Sequence, residues 1–150
     1  MISRFEQFSS SVSCIYRYIQ KIERVEMAKY GLKGPHAQCL LALSRYPEGI
    51  TASELCGICD KDKAAISRTI AELEREGLVS RTAKNGSMYR AILKLTPQGA
   101  EAAQRVDNRA KLAVDKAGES LTDEERAAMY KAFALIANNL QIIRTEGLEE

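Results

Sequence analysis

Residues 62–96 read DKAAISRTIAELEREGLVSRTAKNGSMYRAILKLT, and this stretch decides the fold. Its first half predicts a helix. Ile66, Ile70 and Leu73 recur at spacings of four and three, so they share one face, and Leu78 carries the apolar run past the helix end. Asp62 offers a carboxylate to the free N–H groups of the first turn, which makes it the expected N-cap. Gly77 supplies the left-handed conformation in which helices commonly stop. The second half is two short apolar-rich runs, LVSRT and RAILKLT, separated by KNGSM. Asn85-Gly86 suits a tight turn, so these runs predict a β-hairpin. From Gly77 to Leu95 there are four basic residues, Arg81, Lys84, Arg90 and Lys94, and no acidic one. A phosphate-binding hairpin needs such an excess. Taken alone, the same charges also fit a solvated surface.

Upstream, Ile50-Thr51 predicts a short extended piece. Thr51 or Ser53 then caps a small helix, TASELCGIC, with Leu55 and Ile58 as core contacts. CDKD makes the turn into the helix that starts at Asp62. Short helix, tight turn, second helix, basic hairpin is the order of a winged helix-turn-helix, a DNA-reading motif.

Farther out the chain is helical. Residues 4–29 lack Gly and Pro, and Phe8, Val12, Ile15, Ile19 and Ile22 form a heptad-like stripe. Tyr30-Gly31 ends this helix. Pro35 opens a second one that runs to about Tyr46, with Cys39, Leu40 and Leu43 facing inward. Thr96-Pro97 starts another, to about Gly118, with Ala100, Ala103, Val106, Ala110, Ala113 and Val114 on its less polar side. Thr122 and Glu125 form a capping box for a last helix, about 123–145. Met129, Phe133, Ile136, Leu140 and Ile143 form its stripe. The central module is too small to cover two long terminal stripes. They are expected to pack together and against a second copy in a two-fold dimer; pairing within one chain is the alternative. A dimer places two recognition helices one turn of DNA apart, matching a palindrome. The expected division is 1–34 and 97–150 for helical dimerisation, and 35–96 for the winged helix-turn-helix.

Bulk properties narrow the function classes. The chain has 150 residues, is 45% hydrophobic and 28% charged, and so should fold as one domain, with or without a helical appendage. It shows no membrane-length apolar run and no signal-peptide core, so a cytoplasmic location without a membrane partner is expected. There is one histidine and no Ser/His/Asp constellation, phosphate-cradling glycine loop or metal cluster. An enzyme is therefore not expected, and neither is a cofactor or metal. The four cysteines, Cys14, Cys39, Cys56 and Cys59, do not make a disulfide framework. Cys56 and Cys59 have the spacing of a metal or redox pair, but their place on a core-facing helix end favours packing.

The run ELCGICDKDKAAISRTIAELEREGLVSR, then a short wing, then LKLTPQG leading into a long helix, resembles the MarR family of winged-helix transcriptional regulators. The likeness covers nearly the whole chain. It implies a mainly α fold with a small β-hairpin wing, in the order helix, helix, strand, helix, helix, strand, wing, strand, helix, helix. It also implies a homodimer built from the terminal helices. The expected function is sequence-specific binding of double-stranded DNA at a palindromic operator, as a repressor, with release by a small aromatic or phenolic effector. In a protein-interaction winged helix, the alternative from another class, DNA binding would be lost.

On the helix starting at Asp62, Lys63, Ala64, Ala65, Ser67 and Arg68 lie opposite the core face and are the candidate DNA contacts, with Ser53 on the preceding helix. Arg68 matches the arginine of the family's Ser/Thr-Arg pair. The wing departs from the family, whose members often carry Asp-x-Arg there. Lys84, Asn85, Ser87 and Arg90 are the candidates in its place. Arg81 matches the arginine after the first wing strand and is as readily structural. Tyr16, Tyr30, His36 and Cys39 are the candidate effector-pocket residues, although His36 beside Pro35 also reads as a cap. Cys14, followed by Tyr16 and Tyr18, loosely resembles the first-helix cysteine of a hydroperoxide-sensing branch of the family, which gives a thiol-sensing regulator of the same fold as the alternative.

Overall fold

The structure, a computed structural model, describes residues 1–148. Its elements are α1 (Arg4–Ala28), α2 (Gly34–Ser44), α3 (Ala52–Cys59), α4 (Lys63–Arg75), β1 (Val79–Lys84), β2 (Ser87–Leu95), α5 (Pro97–Ala117) and α6 (Asp123–Glu146). This is the expected mainly helical fold with a two-stranded antiparallel wing. The extended piece at Ile50 is shorter than a strand. It makes one antiparallel bridge to Leu93, with bonds of 3.1 Å (Ile50 N–H to Leu93 O) and 2.8 Å (Leu93 N–H to Ile50 O).

The chain divides into two compact units, Met1–Ala110 and the remainder from Lys111. The first therefore takes in α1 and the start of α5 together with the winged part. The expected dimerisation segment 97–150 runs two residues past those described.

The core of the first unit is built from the predicted α4 face. Ile66, Ile70 and Leu73 are buried with Leu40 and Leu43 of α2, Leu55 of α3, Val79 of β1 and Leu93 of β2. Caps fix the helix starts. Ser3 and Thr51 make reciprocal capping boxes with Glu6 and Glu54, and Asp62 accepts from the Ala65 N–H at 2.7 Å. Thr51, not Ser53, is thus the α3 cap. At α5 the Thr96 hydroxyl accepts from the Gly99 N–H at 3.0 Å and donates to the Gly77 carbonyl at 2.7 Å. This ties the start of α5 to the end of α4.

The inner face of α5 is rotated from the sequence expectation. Gly99, Ala102, Ala103 and Val106 are buried, while Ala100 is exposed. The reason is close backbone approach: a Cβ on Gly99 would collide with the Leu78 carbonyl, so the glycine faces inward. In the second unit, Thr122 and Glu125 cap α6 reciprocally. The Arg126 guanidinium donates to the Gly118 carbonyl at 2.9 Å.

Both predicted stripes exist and neither is buried. On α1, Phe8, Val12, Ile15, Ile19 and Ile22 are 44–53% exposed. On α6, Phe133, Ile136, Leu140 and Ile143 are exposed as well. Among the described residues no helix is long and apolar enough to cross a membrane.

Candidate nucleic-acid interface

Helix α4 divides cleanly around its axis. At about 100° per residue, Lys63, Ser67 and Ala71, then Ala64, Arg75 and Arg68, fill an arc of roughly 140°. All six are exposed. Ile66, Thr69, Ile70 and Leu73 fill the buried side. Of the expected contacts, Lys63, Ala64, Ser67 and Arg68 are therefore open together, and Ala65 is half-buried at the margin. Arg75, one helix end farther along, belongs to the same surface but was absent from the sequence expectation. Its alignment with Lys63 and Ala71 is the signal that finds it. Ser53 lies exposed in the first turn of α3.

The wing turns where the Asn-Gly pair predicts. Asn85 and Gly86 have φ of 53° and 77°, as a two-residue hairpin turn with the twist of its strands requires. Strand register is regular from Val79 opposite Leu95 to Thr82 opposite Ile92, and resumes shifted at Lys84 opposite Ser87. Between these points one residue, Ala83, faces four, Met88–Ala91. The extra length bulges, and Arg90 takes a left-handed φ of 56°. Bulges re-aim side chains, and every residue from Ser80 to Arg90 is exposed. The Arg90 guanidinium lies 5.7 Å from the Tyr89 ring centroid, a cation–π pair at the wing tip. Lys84, Asn85, Ser87 and Arg90 thus sit together on one exposed, acid-free element.

Arg81 is committed elsewhere. Its Nε and Nη2 donate to Glu74 Oε1 at 3.2 and 2.6 Å, joining the wing to α4. On the other side of α4, Glu72 accepts from Lys33 Nζ at 2.8 Å and pairs with His36 Nε2 at 2.7 Å. These contacts, Lys33 first, hold the Glu72 carboxyl well below the usual range, at about 2. His36 is buried, and its Nδ1 accepts the Lys33 N–H at 3.1 Å, so Nε2 carries the proton given to Glu72. His36 is thereby both cap of α2 and link to α4.

Of the four expected effector residues, Cys39 lines a cavity in the first unit. A pocket of ≈ 250 Å³ between α2, α3 and α4 is lined by Cys39 together with Lys33, Cys59, Lys61, Arg68 and Glu72. Tyr16, Tyr30 and His36 are not among its lining residues. Tyr16 is exposed on α1, and Tyr30 carries the Arg105 guanidinium 5.6 Å from its ring centroid. Cys14 is half-buried on α1. Among the described residues, no group of three or more His, Cys, Asp or Glu is placed to hold a metal ion.

Known proteins share this arrangement. Residues 30–86, spanning α2 to the wing turn, match the model of the MarR family. An uncharacterized HTH-type transcriptional regulator, YdgJ of Bacillus subtilis (strain 168), is 28% identical over 104 residues, 69% of this chain. The match spans 63% of that relative's length. The crystal structure of MarR superposes with a TM-score of 0.81 at 26% identity, covering 97% of this chain and 99% of that one. A MepR–DNA complex from S. aureus superposes with a TM-score of 0.82 at 14% identity, covering 93% and 99%, a likeness of fold. With the winged helix-turn-helix, its capped α4 and its wing all in place, the chain has the fold of MarR-family regulators, and its residues 30–86 match the model of that family.

Proposed function

We propose that the protein is a dimeric, sequence-specific DNA-binding transcriptional regulator, a repressor acting at a palindromic operator and released by a small-molecule effector. One observation carries the reading: α4 exposes Lys63, Ser67 and Arg68 on one arc, beside an exposed wing with four basic residues and no acid. The arc fits a major groove, where Arg68 can meet guanine acceptors and small Ala64 and Ala71 permit close approach. The wing fits the adjoining backbone or minor groove. The MepR–DNA complex supports the reading, since a protein of this fold is seen there on DNA. Dimerisation is supported by the half-exposed α1 stripe, since contiguous apolar surface of this kind marks an interaction site.

The test is binding to duplexes from the protein's own promoter region against scrambled duplexes, at several salt concentrations. The wild type should discriminate between them. Arg68→Ala should lose about 1–3 kcal/mol on the preferred duplex and relax the preference. Discrimination that survives Arg68→Ala unchanged removes Arg68 from base reading. No salt-dependent binding to any duplex refutes the function and favours the protein-interaction alternative.

A further inference from the structure

We propose that Met88 and Tyr89 form an apolar wedge at the wing tip that enters the minor groove at a flexible base step and bends the DNA. This inference rests on the DNA-binding function proposed above and deepens it.

The wedge shows first as a break in the strand pattern. Along β2, Ala91 and Leu93 are buried, and Ile92, Lys94 and Leu95 are half-buried, as a strand packed on the core requires. Ser87 to Arg90 are instead four exposed residues in a row. Two of them are large and apolar. Met88 is 56% exposed and Tyr89 78%, both more than any residue of the α1 stripe. Around them stand Lys84, Asn85, Gly86, Ser87 and Arg90, so the apolar surface sits inside a polar, cationic frame.

The tip keeps its shape without help from the core. The Tyr89 N–H donates to the Ser87 hydroxyl at 3.1 Å. Arg90 follows in the left-handed conformation, with its guanidinium near the Tyr89 ring. An L-residue adopts that φ at a cost, and such strain collects at functional sites. One residue facing four leaves the excess chain, Met88 and Tyr89 with it, outside the regular ladder.

The occupant follows from complementarity. Phosphates attract Lys84 and Arg90 but gain nothing from apolar groups. The minor groove offers sugar and base edges between two rows of phosphates, which suits a ring flanked by cations. That groove is about 6 Å wide, so a side chain of this size enters by opening it. Apolar wedges do so by partly unstacking a base step, which kinks the duplex by roughly 20–90°. Pyrimidine–purine steps yield most easily, so the wing selects sequence through deformability, without a hydrogen bond to a base. An anionic lipid surface also accepts a basic element with an aromatic tip. The exposed Lys63, Ser67 and Arg68 of α4 beside the wing favour DNA.

The experiment uses the full-length protein and the duplex it prefers from its own promoter region. Donor and acceptor dyes on the two ends read the bend. 2-Aminopurine, walked through the sequence, brightens where a base step is unstacked. The wild type should raise energy transfer and brighten one step in each half-site. Met88→Ala/Tyr89→Ala should lose both signals and bind about ten- to a hundredfold more weakly. Its salt slope should match the wild type, because no charge is removed. Tyr89→Phe, which keeps the ring, should keep both signals. A straight wild-type complex with no brightened step overturns the wedge, and so do signals that persist in the double variant, a changed salt slope there, or signals lost in Tyr89→Phe. Salt-dependent binding in those cases leaves the DNA function standing. No binding to any duplex refutes both, and retention of the wild type on phosphatidylserine vesicles then assigns the tip to a lipid surface. The wild-type readings decide the matter even if a variant folds poorly.

Discussion

Replacing Lys84 by glutamine removes one cation from the wing without touching the core. With Arg68 assigned to base reading, Lys63, Arg75, Lys84 and Arg90 are the exposed cations that form no ion pair among the described residues, whereas Arg81 is held by Glu74. If each of the four meets one phosphate, a dimer neutralises about eight. At roughly 0.9 per phosphate, the slope of log K against log salt is about −7. Between 50 and 200 mM salt, affinity then falls by roughly four orders of magnitude. Lys84→Gln takes two phosphate contacts from the dimer, so the slope should become about −5 and the fall roughly three orders. Arg81→Gln is the internal control. It frees the Glu74 carboxylate and so weakens binding, but its own guanidinium is not available to phosphate, and the slope should stay within about half a unit of wild type. Fluorescence anisotropy of a labelled duplex across a salt series reads both variants. A Lys84→Gln slope equal to wild type, or an Arg81→Gln slope that drops by two, refutes the assignment of free and committed cations.

Two glycines should respond with opposite signs in thermal unfolding. Gly57→Ala, where an added Cβ meets nothing within 4 Å, should stabilise by about 0.5–1 kcal/mol. Gly99→Ala, whose Cβ meets the Leu78 backbone, should destabilise by about 1–3 kcal/mol, and equal signs would contradict the close approach. Glu72 and Glu26 are held at about 2, by Lys33 then His36 and by Arg109 then Lys29 respectively. Both lie below the unfolded value of about 4.3, so their contribution is full above that pH and is lost as pH falls toward 2. The melting temperature should drop across that window, and less steeply in Glu26→Gln/Glu72→Gln; identical profiles would show that these pairs do not drive the acid limb. Ile19→Asp on the half-exposed α1 stripe should give a monomer by light scattering while the circular dichroism spectrum is kept. An unchanged dimer mass would remove α1 from the interface.

The elements readable in advance were those whose signal is local. The α4 face, its Asp62 cap and the Asn85-Gly86 turn follow from spacing and from single-residue conformational preference, and all stand where expected. What stayed hidden depends on packing at a distance. The inward roll of α5 follows from Gly99 meeting Leu78, twenty-one residues earlier, a contact with no periodic trace. The wing bulge rests on an unequal count of residues between two pairing registers, and a left-handed arginine at position 90 has no sequence preference to announce it. For the interface, the exposed residues on α4 follow from helical geometry alone.

The acidic residues of α4 bear on the same question from the opposite side. Three glutamates stand at positions 72, 74 and 76, late in a helix proposed to approach phosphates. On the helical wheel Glu72 falls near one margin of the exposed arc and Glu74 near the other. Each is taken by a basic partner from a neighbouring element, Glu72 by Lys33 and His36 of the α2 start, Glu74 by Arg81 of β1. Glu76 lies beyond the helix body, as its C-cap. An exposed ion pair adds little to stability, on the order of 0–1 kcal/mol, so stability alone is a weak account of two such pairs on one helix. Their geometric effect is larger. They fix the roll of α4 from both flanks, and they leave Lys63, Arg68 and Arg75 as the arc's charges without an ion pair among the described residues. A surface assembled this way is positive where the groove is to be met, although the run from Lys63 to Glu76 holds three acids against three bases.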